Sequence, residues 1–453
     1  MLERFPFGRA PLWLLVLALA STVAVLLTQR LGAAARPDLS FATSASTHME
    51  AYREAAAIFE KKRGVRVSVE LVQSRALQTR LQNAMLAKSP VPDLVELLYG
   101  DIAYFTRGPL SDVGLVDLTE RLDKQGLKER LVESRLSLWS SRGHAFALPH
   151  DVHPVMLMYR ADILESLGID VNAIETWDDF VALRPKVVKD LDGDGVIDRY
   201  LIDLPIGESW GVLILLLQRG VSLFDEHGKL QMNQPATVDT IDWYVHQVEG
   251  KDRIATQCGW GQSLMKAMKD GLALFYVAPD WRTHSIEMEA PNVRGLFRVM
   301  PLPAWTPGGR RTSTWGGSGL AITKASQHVE LAWDFAKLLY FDRDELGRRY
   351  RATKILPPLK DSWTLPELAE PSDFFRGQRI GEEFAKLAPD VPADWATPYK
   401  SRAEDRLGGV VLHALEHFRA HGDDGLRALI QKELAEKSAD VEELMNRNVL
   451  DKE

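Results

Sequence analysis

Three tryptophans stand beside carboxylates and glycines in this sequence. Trp315 opens the run Trp315-Gly316-Gly317-Ser318, Trp281 follows Asp280, and Trp210 follows Glu208 and Ser209. A flat aromatic face next to hydrogen-bonding groups can pack on the apolar side of a ligand while its neighbours hold the polar groups. The glycines let the backbone take positive φ and let a ligand come close to it. Further polar or aromatic candidates are Ser44, Ser46 and Thr47, then Tyr99 and Asp101, and later Trp395 and Tyr399. Each has a plainer alternative: Ser46 or Thr47 as a helix cap, Tyr99 and Asp101 as satisfied loop residues, and some of the 12 tryptophans as core.

Two other groupings could hold ions. His150, Asp151 and His153 lie between Pro149 and Pro154; as a metal site they lack a further strong ligand cluster, and such residues are usually hydrogen-bonded polar groups, with polar contact of His150 and Asp151 with a ligand as the other reading. The run from Asp190 to Asp198 carries Asp190, Asp192, Asp194 and Asp198 around Gly195, resembling the first half of a calcium loop. Leu201 stands where the closing bidentate acid belongs, so a solvated Asp/Gly turn competes with a structural Ca2+. No other cofactor is indicated. Phosphate-loop, His-Glu-x-x-His and Gly-x-Ser-x-Gly patterns are absent; Ser318 sits in Gly-Gly-Ser-Gly-Leu. A glycoside hydrolase needs two opposed carboxylates. Asp151, Glu208 and Asp280 could be recruited, but no spacing pairs them, and the reading is of a binding protein rather than an enzyme.

The elements that must position these residues read as α/β. Leu39 to Thr43 is a strand, and Met49, Tyr52, Ala56 and Phe59 form the stripe of a following helix. Val65 to Val72 alternates as a second strand, a helix covers 76 to 86, and Asp93 to Leu98 is a third strand. Leu272 to Val277 and Leu320 to Thr323 read as buried strands, and Ser326 as the N-cap of a helix with Leu331, Phe335, Leu338 and Leu339 on one face. Helices are expected at 212–218, 237–248, 373–387, 404–421 and 424–447. Strand–helix alternation predicts doubly wound sheets, in which ligands collect at strand ends. At 453 residues the chain is long enough for two domains.

Six segments, in order, carry a family resemblance: Phe59 to Val69, Pro92 to Leu97, Ala147 to Leu164, Thr176 to Phe180, Pro301 to Pro303, and Thr312 to Phe341. Together they resemble the extracellular solute-binding proteins of ABC importers, family 1, the sugar-binding group similar to maltose-binding protein. The resemblance implies a two-lobed periplasmic-binding-protein fold of class II type. Its parts would be 1–36 as signal peptide or membrane anchor, 37–150 as the first part of lobe one, 151–299 as the first part of lobe two, 300–345 as the return to lobe one, and 346–453 as C-terminal helices of lobe two. The lobes would be joined by crossings near Ala147 to His153 and Phe297 to Pro303, and by a third after Phe341. The family carries aromatics where Trp210 and Trp281 stand, which with Trp315 would make a sugar-stacking box. The implied partners are a carbohydrate-like small molecule and the permease subunits of an importer. A membrane-tethered sensor or scaffold of the same fold is the alternative.

A net charge of −8 argues against nucleic acid as the partner. Pro11 to Leu27 is an uncharged apolar run behind Arg4 and Arg9, the layout of an export signal, with Ala33-Ala34-Ala35 as a small-residue cleavage site. Left uncleaved, it would serve as a membrane anchor, and either outcome places the rest of the chain in the periplasm or another extracytoplasmic space. Cys258 is the single cysteine, so no intramolecular disulfide forms, and none stands after the apolar run to carry a lipid.

Overall fold

A computed structural model describes residues 10–31, 37–87 and 89–447. Arg4, Arg9 and the Ala33 to Ala35 site lie outside the described residues. The strands in chain order are β1 (Leu39–Thr43), β2 (Val67–Leu71), β3 (Leu94–Leu98), β4 (Ser140–Ser141), β5 (His144–Ala145), β6 (Leu148–Pro149), β7 (Val155–Arg160), β8 (Tyr200–Asp203), β9 (Ala255–Thr256), β10 (Ala273–Pro279), β11 (Phe297–Pro301) and β12 (Ser318–Ile322). They form two five-stranded sheets, ordered β2-β1-β3-β12-β6 and β11-β7-β10-β8-β9, with β4 and β5 as a separate pair.

Each sheet is the centre of one lobe, and period-two alternation buries both of its faces. All six residues of β7 are buried. Val155, Leu157 and Tyr159 join one core with helices Trp210–Gln218, Pro235–Val248, Lys400–His421 and Leu426–Arg447, while Met156 and Met158 join another. In the first sheet, Leu39, Phe41, Leu320 and Ile322 pack under helices Ser46–Arg63 and Val329–Phe341, and Ala42, Val95 and Ala321 face the opposite side.

The sheets are mixed rather than purely parallel. β1 runs parallel to β2 and β3, and β8 runs parallel to β9 and β10. β12 runs antiparallel to β3 and β6, and β7 antiparallel to β10 and β11. These two are the strands that the chain enters from the other lobe, so they start from the end where the others finish. The first crossing is 150–154 and the second lies within 302–317, and the two run side by side: His150 N–H donates to Ser318 O, and Val155 N–H to Ser313 O. Past Phe341 the chain does not return at once. Helix Arg343–Thr353 packs on Ser46–Arg63, Val132 N–H donates to Pro358 O, and β11 is met further on, where Gln378 accepts from Val299 N–H and donates to Val299 O.

Two local expectations are corrected. Ser326 caps no helix: its hydroxyl accepts from His328 N–H and donates to Asp93, and the helix begins at Val329. The 373–387 stretch is helical only over Ile380–Leu387, because 372–378 closes on itself through a Ser372–Gln378 bridge with Arg376 at φ 57°. The apolar N-terminal run forms helix Ala10–Leu31, with Trp13, Leu14, Leu17 and Leu19 exposed. Among the described residues, no helix is long and apolar enough to cross a membrane.

Candidate functional site

A cavity opens between the end of β3, helix Trp210–Gln218 and the crossing that leads into β12. It holds about 490 Å³ of empty space, including its mouth, and is walled by Tyr99 from the first lobe and by Trp210, Leu213, Ile214 and Leu217 from the second. Thr314, Trp315 and Gly316 of the second crossing close one side, and Asp394, Lys400 and Glu404 the rim. Thus the expected Tyr99, Trp210, Trp315 and Gly316 come together although they are far apart in sequence.

The aromatics form one cluster. Trp210 and Trp315 stack with centroids 4.2 Å apart and planes 10° from parallel. Trp281 meets Trp315 edge-on at 5.1 Å, and its indole N–H donates to Trp315 O at 3.0 Å. Glu208 accepts from the Trp210 indole at 2.6 Å, so its role is to orient that ring. Beneath them, buried Arg282 places its guanidinium 4.9 Å from the centre of Trp260 and 5.5 Å from Trp315, near enough for cation–π attraction. Trp260, 48% exposed, was missed by the sequence reading, although Gly259 and Gly261 flank it much as glycines follow Trp315.

Backbone requirements explain the glycines of the turn. Gly316 has φ 89° and Gly317 φ 149°. A Cβ on Gly317 would press on the Arg135 head and come within 3.2 Å of Leu138. Gly317 and Ser318 are buried and serve the hinge rather than the cavity: Asp151 accepts from Ser318 N–H at 2.8 Å.

Asp151 and Asp280, expected to face a ligand, are fully buried and hold the crossings together. Asp151 pairs with Arg135 at 2.8 Å and with His153 Nε2 at 3.1 Å, and His153 Nδ1 meets Asp280 at 2.6 Å. Arg135 also donates to Thr314 Oγ1 and Gly316 O, and Asp280 accepts from Leu356 N–H. Burial alone would lower the His153 pKa, but the two carboxylates push it up to about 9. Burial alone would raise that of Asp151, but His153 and Arg135 hold it far below the carboxylate range.

His150 faces the other way. Its Nδ1 lies 2.8 Å from the Tyr52 hydroxyl, which donates to Glu96, and its ring stacks on His48 at 4.1 Å. Burial drives its pKa well down, so it is neutral. The metal site weighed for His150, Asp151 and His153 therefore does not assemble. His48, Glu96 and His150 do place ligand-type atoms within 4.8 Å of one another. However, stacked rings aim their lone pairs in parallel rather than at one ion, and Glu96 is already engaged by Thr43, His48 and Tyr52.

Ser44 is half-buried, and Ser46 and Thr47 are exposed at the start of helix Ser46–Arg63; none of the three lines the cavity. Asp101 turns back to accept from Leu98 N–H, and Tyr399 precedes helix Lys400–His421 without reaching the cavity wall. Trp395 lines a second hollow. The rim residues Asp394, Lys400 and Glu404 were not singled out as ligand contacts. Lys400 pairs with Asp394 and lies 5.3 Å from the centre of the Tyr99 ring, joining the lobes across the cleft. Arg107 to Pro398 O and Ser137 to Asp394 O do the same. Burial and the nearby Asp394 charge push Glu404 up to about 7, against the pull of Lys400.

In the Asp190 loop, Asp190, Asp192 and Asp194 converge. Asp190 already accepts from Gly193 and Gly195 N–H, and Asp198 stays out of the cluster, accepting from Leu191 N–H. Leu201, at the closing position, is buried in β8.

Known proteins agree with this architecture. The sugar-binding protein MalE of Xanthomonas citri superposes with a TM-score of 0.73 at 19% identity, covering 90% of this chain and 99% of that one. A binding protein of B. animalis subsp. lactis Bl-04, solved with β-1,6-galactobiose, gives 0.67 at 20% identity, covering 90% and 98%. In sequence, an arabinooligosaccharide-binding protein of Bacillus subtilis (strain 168) is 27% identical over 76% of this chain and 78% of its own length. The model of the bacterial extracellular solute-binding proteins matches residues 44–345, a span that holds both crossings and the tryptophan cluster but not the rim residues Asp394, Lys400 and Glu404, and the chain belongs to that family.

Proposed function

We propose that this chain is an extracytoplasmic carrier that closes two lobes around a saccharide and hands it to the membrane subunits of an ABC importer. The observation that carries the reading is a cavity between the lobes walled by stacked tryptophans and rimmed by a carboxylate, a carboxyl and an ammonium group. Indole faces suit the C–H faces of sugar rings, and the rim groups suit hydroxyls. Relatives named for arabinooligosaccharide and lactose binding support the same class of ligand. A ligand that touches Tyr99 on one side and Trp210 on the other binds the closed arrangement better than an open one, and that difference drives closure. The contacts from Lys400, Arg107 and Ser137 across the cleft would be lost on opening.

The carboxylates weighed for a hydrolase are engaged elsewhere. Asp151 and Asp280 are sealed in the hinge and Glu208 is spent on Trp210, so none of the three candidate carboxylates faces the cavity. The apolar N-terminal run supports export or tethering of the carrier, and a tethered sensor would share the fold. The test is calorimetry with arabino-, malto- and galacto-oligosaccharide series, product analysis of the same mixtures, and scattering with and without the best binder. Binding without turnover and with compaction is expected. A tight binder that leaves the radius of gyration unchanged and tolerates both Trp281→Ala and Trp315→Ala would refute the clamp.

A further inference from the structure

The lining of the tryptophan cavity divides by chemistry. Leu213, Ile214 and Leu217 of helix Trp210–Gln218, with Val221 and Leu223 of the loop that follows, give it an aliphatic wall. The main chain of that wall is largely engaged. Ile214 O accepts from Ser313 Oγ at 2.6 Å, Leu217 O from Gly220 N–H at 2.9 Å and Leu223 O from Gln231 N–H at 2.7 Å. Thr314 Oγ1 is held by Arg135 Nη1 at 2.8 Å, and the Trp210 indole N–H is given to Glu208. This part of the lining has little to offer a sugar hydroxyl.

The polar groups that remain come from other elements. Asp394 and Lys400 pair with each other. The Tyr99 hydroxyl and the Glu404 carboxyl line the cavity and make no side-chain hydrogen bond among the described residues. They are neighbours: Glu404 lies one turn past Lys400, whose ammonium is 5.3 Å from the centre of the Tyr99 ring. A hydroxyl pressed against aliphatic side chains gives up water without replacement, whereas a methyl, alkyl or aryl group gains from the same contact. A wholly apolar ligand fails the other way, because it would cover Tyr99 and Glu404 with nothing that donates or accepts. The ligand that fits both parts is a sugar ring with hydroxyls at Tyr99 and Glu404 and an apolar substituent on the aliphatic wall.

We propose that this cavity selects sugars carrying an apolar substituent, the methyl of a deoxy sugar or an alkyl or aryl aglycone, over their fully hydroxylated counterparts. This rests on the saccharide reading above, and the test separates the two. Calorimetry on the full chain compares quinovose with glucose and fucose with galactose of the same hand in one arm. The other arm compares phenyl and butyl with methyl glycosides of glucose, galactose and arabinose, and arabino-, malto- and galacto-oligosaccharides are run beside both. In at least one arm the more apolar member should bind about tenfold more tightly, and that arm identifies the source of the apolar group. The nearly isosteric Val221→Thr and, independently, Leu213→Gln should each narrow the preference about threefold or more, with melting curves confirming the fold. The wild-type arms decide the matter even where a variant fails to fold. If neither arm shows a preference while the oligosaccharides bind, or if the preference survives both substitutions in folded protein, the proposal is overturned and the saccharide reading stands. If no sugar of any kind binds wild type, the saccharide reading falls and this one with it.

Discussion

Removing the imidazolium that both hinge carboxylates share is the sharpest perturbation the structure offers. His153 sits at φ 52°, a conformation that asparagine tolerates, so His153→Asn takes away the charge without forcing the backbone. The folded pKa of about 9 lies above the ordinary 6.5, so the proton is held more tightly in the native state. The associated stability is fully present below pH 6.5 and is lost as pH rises through 9, an amount on the order of 3 kcal/mol. At the acid end of that window the variant leaves Asp280 with only the N–H groups of Trp281 and Leu356, and Asp151 with Arg135 and Ser318. Stripping one partner from a buried pair costs about 3–5 kcal/mol. Urea unfolding of both proteins across this window, followed by tryptophan fluorescence, reads the difference directly. Wild type should lose its advantage over His153→Asn as pH rises. An advantage that stays constant or grows toward alkaline pH would refute the assignment of a shared imidazolium.

Other outcomes are expected. Trp315→Ala should cost the best-binding saccharide on the order of 1–3 kcal/mol in calorimetry, by analogy with base–aromatic stacking. Glu404→Gln should stabilise the protein above pH 7, because the native carboxyl ionises reluctantly; half-burial keeps the gain near about 1 kcal/mol in thermal melts. Gly319→Ala places a Cβ 2.5 Å from the Trp139 ring, and overpacking of about 1–3 kcal/mol should show as a lowered melting temperature. If the three converging aspartates hold Ca2+, the ion should raise the melting temperature of wild type but not of Asp192→Ala; equal melting with and without the ion leaves a turn closed by its own hydrogen bonds.

Elements bounded by turn residues were legible in the sequence. β3, β10 and β12 are apolar runs with polar or glycine punctuation, and each lies within two residues of its expected limits. The crossing after Pro149 was legible only through the family resemblance carried by Ala147 to Leu164. Less legible was whatever depends on long-range pairing. That Asp151 and Asp280 share one histidine is decided by contacts 127 residues apart in sequence, and composition alone makes each look like a ligand group. Trp260 escaped because its local glycine pattern gives no hint that the connection after β9, a strand paired to β8, brings it to Trp315. The direction of β7 and β12 follows from where the chain re-enters each sheet, which hydropathy does not encode.

The parallel contact of Trp210 and Trp315 has a spectroscopic consequence. Two indoles 4.2 Å apart with planes 10° from parallel are close enough to couple their electronic transitions, and any skew between the two transition dipoles in their planes makes the coupling chiral. The pair should thus contribute a bisignate exciton band to the circular dichroism spectrum. A ligand that shifts either ring on packing against this wall would change the coupling and alter that band. Occupancy of the cavity would then be readable without a label, and the kinetics of filling could be followed on native protein by that optical change.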